Sequence, residues 1–337
     1  MKTNNFHHFK IKNKDIKSLI HQANSTRQDF KIIFDETKPQ HCLPISIING
    51  KEKGKVFTLL AGIHGCEYPP IIALQEIIKE IQPQSLKGSL IMIPIANIEA
   101  FYQRTPFVHP DDKKNLNYIF PGKADGSISE QIAHWITQNI IPNTDIFVDI
   151  HGGDANEDLI PFACYYDDKR NEENTQKALE LAKASGLPYI VSYPYTIKDD
   201  EPALYAFKQA VQNNIIALSL EAGKLGNLQE DAVQLLKTAV WQMLDFSQTY
   251  PNPNDYQENE KKRLSQQTYI KAQESGIFYS SHKSGDFIKK NEEMGYITDE
   301  FGNFLCKITS PTDGIILYKI GTPPVNKGET VFCIGSK

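Results

Sequence analysis

The chain has few of the features that mark secreted or membrane proteins. Its 337 residues include five cysteines without a CxxC pair, and the odd number predicts reduced thiols in the cytoplasm. Residues 1–14 are polar and basic and lack the apolar run of a secretory signal. The longest apolar stretch, residues 90–96, is too short to span a bilayer. These absences predict a cytoplasmic protein without a membrane partner.

A strong charge of one sign is also missing. The formal net charge is -5, and acidic and basic residues are interspersed. Nucleic-acid-binding proteins concentrate Lys and Arg on one face, so nucleic acid is not the expected partner. The apolar fraction of 40% suits an ordinary globular core, and the length allows one large domain and one small domain.

Strand and helix patterns alternate along most of the chain. Apolar runs predict strands at residues 43–48, 55–60, 89–95, 145–150, 189–192 and 215–220. Helical periodicity predicts helices at residues 15–23, 69–81, 127–140, 172–185, 202–212 and 228–246. Continuous apolar strands indicate burial on both faces. We therefore expect an α/β fold with a mostly parallel or mixed sheet flanked by helices.

The composition changes after residue 250. Residues 251–263 contain two prolines and many polar and charged residues, which predicts a linker. Beyond it, short strands separated by glycines indicate a small β-barrel or sandwich. We expect an α/β domain at 1–250 and a β domain at 264–337, whose one histidine, His282, binds no metal.

Four candidate metal-binding or acid–base side chains follow predicted strands. They are His64, Glu67, His151 and Glu221. Ligands of open α/β sheets bind at the carboxyl ends of the strands, so these side chains are expected at one sheet edge. Two imidazoles and a carboxylate can hold a catalytic zinc ion that keeps one open position. Asp149, on the same strand face as His151, is suited to orient that ring.

Each residue also has a simpler explanation. A single His-x-x-Glu pattern is common by chance. Glu221 could be a solvated loop carboxylate or cap a following helix. Cys66 could replace Glu67 as a ligand, because thiolates bind zinc. The shared sheet edge favours the metal site over these separate explanations.

Five stretches resemble the succinylglutamate desuccinylase/aspartoacylase family, which has the zinc carboxypeptidase fold. The resemblance runs from about residue 43 to the C-terminus and is carried by residues 61–67, 94–97 with Arg104, 115–122, 149–151 and 221–223. It implies one zinc ion per chain, with the ligands His64, Glu67 and His151. It also implies that Glu221 is the catalytic glutamate and that Arg104 steadies the scissile carbonyl oxygen or the substrate.

One position departs from the family pattern. The Asn-Leu-Asn stretch of the family continues into an arginine, and the Asn–Arg pair grips the substrate carboxylate. Here Asn117 is followed by Tyr118, and a phenol cannot form the bidentate pair of a guanidinium. Either another cation, such as Lys113 or Lys114, does this work, or the substrate lacks that carboxylate.

These observations predict an amidohydrolase that removes an acyl group from a small N-acyl amino acid or N-acyl amine. Zinc would activate a water molecule, Glu221 would act as the base, and Arg104 would stabilise the oxyanion. The alternatives are a zinc carboxypeptidase acting on peptides and a non-catalytic metal-binding protein. The expected partner is the small-molecule substrate. Assembly into a homo-oligomer is compatible with the sequence.

Overall fold

The structure is a computed structural model that describes residues 16–20, 22–198, 200–253 and 261–337. Ten strands precede residue 265 in this part of the chain: Thr26–Ile33 (β1), Cys42–Asn49 (β2), Glu52–Ala61 (β3), Lys87–Ile93 (β4), Ile146–His151 (β5), Glu157–Leu159 (β6), Phe162–Asp167 (β7), Tyr189–Pro194 (β8), Ile216–Glu221 (β9) and Lys262–Leu264 (β10). All but β6 form one sheet, in the order β1-β2-β4-β3-β5-β9-β7-β8-β10.

The centre of this sheet is parallel and buried. Strands β4, β3, β5 and β9 run parallel, and every residue of β5 is buried, as expected for strands covered on both faces. Antiparallel pairs join β1 to β2, β2 to β4 and β7 to β9. The predicted α/β fold class with a mostly parallel or mixed sheet is confirmed.

Helices cover both faces of the sheet. They span Ile16–Leu19 (α1), Tyr68–Glu80 (α2), Ile98–Gln103 (α3), Ile128–Trp135 (α4), Glu172–Ala184 (α5), Ala206–Gln212 (α6) and Glu230–Phe246 (α7). Apolar residues of α2, α5 and α7 form the core on one face, and those of α4 and α6 contribute to the core on the other. None of the described helices has the length and hydrophobicity needed to cross a membrane.

Local sequence signals explain where some helices begin. Pro69 and Pro70 are the second and third residues of α2, where the missing N–H has no intrahelical partner to lose. Ser127 and Glu130 form a capping box at the start of α4, which satisfies two backbone donors. The helix predicted at 127–140 ends earlier, because a π-helical turn follows at Ile136–Ile140.

The C-terminal part consists of short strands: Gln266–Lys271 (β11), Gly276–Tyr279 (β12), Phe287–Ile288 (β13), Glu293–Thr298 (β14), Phe304–Thr309 (β15), Gly314–Ile320 (β16), Pro324–Val325 (β17) and Thr330–Ser336 (β18). They form two antiparallel sheets around a core of their own. Strand β6 pairs with β16. Of the predicted linker, residues 254–260 lie outside the described residues, and residues 262–264 form β10 beside β8.

Candidate active site

The first site segment is a tight turn after β3. Gly62 has a positive φ of 68°, a conformation that glycine adopts without steric cost. A side chain at Gly65 would collide with the backbone of Ala100 and Phe101 in α3. These two glycines therefore let the turn lie against α3 and carry His64 at the carboxyl edge of the sheet.

Two histidines close on one buried carboxylate at this edge. The Nδ1 atom of His64 lies 2.7 Å from Glu67 Oε1, and the Nδ1 atom of His151 lies 3.1 Å from Glu67 Oε2. The exposed fractions are 8% for His64, 2% for Glu67 and 5% for His151. One nitrogen of each ring and a carboxylate oxygen all lie within 4.8 Å of one another. The fold thus brings His151 next to His64 and Glu67, which lie much earlier in the sequence.

The far side of each imidazole is held by another side chain. The Nε2 atom of His151 lies 3.0 Å from Asp149 Oδ1, and the Nε2 atom of His64 lies 3.0 Å from Asn115 Oδ1. In the neutral form of each ring with its proton on the outer Nε2, the lone pair of Nδ1 would be free for a metal ion beside Glu67. Metal-binding histidines are commonly oriented in this way.

Without a metal, the two protonated imidazoles and the ionised carboxylate of Glu67 stabilise one another's charges. Burial opposes charge on both rings, but Glu67 raises the pKa of His64 to about 9, and Asp149 and Glu67 raise the pKa of His151 well above its usual range. Burial also opposes ionisation of Glu67, yet the two histidines lower its pKa to about 2. Protons on the two imidazole rings therefore balance the negative charge of Glu67, as a bound cation could do.

The donor set fits a zinc ion. Zinc bonds of about 2.0–2.2 Å in a tetrahedral site separate two ligand atoms by roughly 3.3–3.5 Å, so the contacts around Glu67 need only a small outward shift. Glu67 Oε2 is buried and accepts no hydrogen bond of good geometry from the described residues. Cys66 is not one of the grouped ligands, and burial raises the pKa of its thiol, which disfavours the thiolate that zinc requires.

Glu221 lies beside His151. The two residues are direct partners in the parallel pairing of β5 with β9. Burial, together with the neighbouring carboxylates of Glu67, Glu157 and Asp149, raises the pKa of Glu221 to about 8 against the opposing effect of His151. A carboxyl group whose pKa is near neutrality can both take and give a proton.

Glu157 is a site residue that the sequence analysis missed. It begins β6, six residues after His151. Burial raises its pKa to about 7. The charge of His64 opposes this increase, and the charge of Glu67 adds to it. Its Oε2 atom accepts the backbone N–H of Asp154 at 3.0 Å. The signal in the sequence was weak, because Glu157 belongs to no periodic pattern.

The other predicted site residues lie around this centre. Arg104 is exposed and has a left-handed backbone conformation at the end of α3. Burial raises the pKa of Tyr68, the residue after Glu67, and the charge of Arg104 opposes this increase. The backbone N–H of Asn117 donates to Asn115 Oδ1 at 2.8 Å. Tyr118 is 54% exposed and packs edge-on against Tyr205, with ring centroids 5.4 Å apart.

The catalytic-domain model of the succinylglutamate desuccinylase/aspartoacylase family matches residues 53–247 of the chain. A curated relative, the N-alpha-acetyl-L-2,4-diaminobutyric acid deacetylase of Halomonas elongata, is 26% identical over 311 residues, which are 87% of this chain and 85% of that protein. By its name, that relative is a deacetylase of N-alpha-acetyl-L-2,4-diaminobutyric acid.

Solved structures have the same fold. A succinylglutamate desuccinylase/aspartoacylase from Rhodobacter sphaeroides has a TM-score of 0.80 at 21% identity, covering 92% of this chain and 95% of that one. The product-bound ectoine utilization protein EutE (DoeB) from Ruegeria pomeroyi has a TM-score of 0.78 at 22% identity, covering 88% and 89%. Because the family model matches more than half of this chain, the chain belongs to the succinylglutamate desuccinylase/aspartoacylase family.

Proposed function

We propose that this protein is a zinc-dependent deacylase that hydrolyses the amide bond of a small N-acyl amino acid or N-acyl amine. His64, Glu67 and His151 would hold one zinc ion per chain. The observation that carries the proposal is the pair of Nδ1 atoms turned toward one buried carboxylate, 2.7 and 3.1 Å away. When bound, zinc would polarise the amide carbonyl and lower the pKa of a water molecule.

The residues around the metal would divide the remaining work. Glu221 would take a proton from the attacking water and pass it to the leaving nitrogen. Asp149 would hold the His151 ring through Nε2, and Asn115 would hold the His64 ring. Arg104, on an exposed segment, would move toward the substrate to stabilise the oxyanion.

Asn117 and Tyr118 would contact the substrate. The Oδ1 atom of Asn117 is buried and has no hydrogen-bond partner among the described residues, so it is available to a substrate donor. Tyr118 would contribute an aromatic ring where the family has an arginine. The curated relative's name points to N-acetylated diamino acids as the first substrates to test.

The proposal includes a cytoplasmic location and a division of the chain into two domains. All five cysteines are free, which agrees with a reducing compartment such as the cytoplasm. We infer that the α/β domain at 1–250 carries the chemistry and that the β domain at 264–337 borders the site. Among the described residues, His282 does not group with other side chains that could hold a metal ion.

A turnover screen of the zinc-loaded protein against N-acyl amino acids, N-acyl diamines and short peptides tests the proposal. We expect release of a free amine from one of the first two classes. Turnover of peptides alone would favour a carboxypeptidase, which Tyr118 argues against. Zinc binding without turnover of any substrate would indicate a non-catalytic family member.

Glu221→Gln tests the role of the base. This change keeps the shape of the side chain and removes its basicity, so kcat should fall about 10²–10⁴-fold, while zinc content stays unchanged. Glu173→Gln, on an exposed side chain of α5, is the matched control and should retain full activity. Near-wild-type kcat in zinc-loaded Glu221→Gln would make Asp149 the next candidate for the base.

A further inference from the structure

We propose that the chain has a second site for a divalent transition-metal ion, formed by His41, Glu99 and His109. The Nε2 atoms of both histidines lie 3.2 Å from the same oxygen, Glu99 Oε2. The three ligand atoms lie within 4.8 Å of one another. The exposed fractions are 8% for His41, 6% for Glu99 and 1% for His109. Two imidazoles and one carboxylate suit zinc and neighbouring divalent metals.

The cluster shares a specific feature with the candidate active site. In both places a buried glutamate oxygen, Oε2 of Glu67 or of Glu99, accepts no hydrogen bond of good geometry from the described residues. In both places two imidazole nitrogens face that glutamate. Buried polar atoms are normally satisfied, so a carboxylate oxygen that lies between two histidines and lacks a well-formed bond points to a cation as its partner.

A second carboxylate borders the cluster on the solvent side. Asp111 Oδ2 lies 2.9 Å from His41 Nε2 and 2.8 Å from Lys38 Nζ, and the side chain of Asp111 is 36% exposed. His41 and Asp111 also line a surface pocket. An ion can therefore reach the cluster from solvent, and the two carboxylates with one lysine leave a net negative charge to attract it.

Two hydrogen bonds must rearrange when the metal binds. In the first, His41 Nε2 donates to Asp111 Oδ2 at 2.9 Å, and the ring must give up this proton to bind the ion. In the second, the backbone N–H of Asp111 donates to His109 Nδ1 at 3.2 Å, so the proton of the neutral ring lies on Nε2. Binding through Nε2 moves that proton to Nδ1, where Asp112 Oδ1, 4.0 Å away, must approach by about 1 Å to accept it. A carboxylate behind a metal-binding imidazole is the usual arrangement. These rearrangements predict weaker binding than at the candidate active site.

The site would connect segments that lead to the active site. His41 comes just before β2, Glu99 lies in α3, and His109 lies in the loop that runs to Asn115. Because Asn115 holds His64, an ion at the cluster would stabilise the loop that orients a ligand of the first site. The proposal does not depend on the deacylase activity.

Metal stoichiometry tests this proposal directly. Chelator-treated protein, reloaded with zinc and freed of loosely bound ions, should contain two zinc ions per chain by elemental analysis. Glu99→Gln and Glu67→Gln each preserve shape and remove one carboxylate, so each variant should retain about one zinc ion, and the double variant should retain none. Circular dichroism confirms that each variant is folded.

Cobalt(II) provides a second readout at the cluster itself. Glu67→Gln protein titrated with cobalt should show visible absorption from a histidine-ligated ion, and adding His41→Gln should abolish it. Wild-type protein that takes up a single zinc ion, which Glu67→Gln then loses, would overturn the proposal whether or not Glu99→Gln folds. The cluster would in that case be an ordinary hydrogen-bonded network.

Discussion

Asp149 should set the affinity of the candidate active site for zinc without touching the ion. Its Oδ1 atom lies 3.0 Å from His151 Nε2, and the residue is completely buried, so water cannot replace it. Asp149→Asn keeps the volume and an acceptor oxygen but removes the charge. Hydrogen bonds to a charged partner are roughly twice as strong as neutral ones, and they raise the basicity of the ligand.

Loss of such a partner typically lowers metal affinity about 10–100-fold, which corresponds to about 1.4–2.7 kcal/mol. The assay is competition for zinc against a chromophoric chelator at pH 7. Asp168→Asn is the matched control, because Asp168 is also buried but pairs with Arg170 and not with a histidine of the candidate active site. An unchanged zinc dissociation constant in folded Asp149→Asn would refute the assignment of His151 as a ligand held through Nε2.

Three further changes probe the same centre. Asn115→Ala should weaken zinc binding, because it removes the acceptor of His64 Nε2, and the chelator assay measures this loss. Glu157→Gln removes a charge that raises the pKa of Glu221, so the acidic limb of the kcat/KM profile should move to lower pH. The pairing of His64 with Glu67 raises the folded-state pKa of His64 from 6.5 to about 9. Its stabilisation is therefore complete below pH 6.5 and is lost as the pH rises through about 9. The Tm of the metal-free protein should fall over that range, and Glu67→Gln should remove this part of the dependence.

The sequence was most informative where a regular pattern determines position. His151 and Glu221 end neighbouring parallel strands, and the carboxyl ends of parallel strands meet at one edge. Their proximity therefore followed from two apolar runs. Predicted helix boundaries agreed with α2, α5 and α7 to within two residues. Strands β1 and β7 were not predicted, although both belong to the large sheet.

Contacts between irregular segments were beyond this kind of reasoning. Asn115 stood in a recognised motif, but nothing in its spacing indicated that it holds His64. His41, Glu99 and His109 meet because a strand-connecting loop, a short helix and a long loop converge. Loop conformations carry no periodicity, so the sequence alone gave no reason to group these three residues.

The position of Glu157 links the two parts of the chain. Strand β6 pairs with β16, with Glu157 opposite Ile320, and Gly321 donates its backbone N–H to Asn156. These bonds fix the segment after His151 in an extended conformation, which holds the Glu157 carboxyl near His64 and Glu67. The C-terminal strands thus help to set the electrostatics of the candidate active site, since they position a carboxyl group that raises the pKa of Glu221.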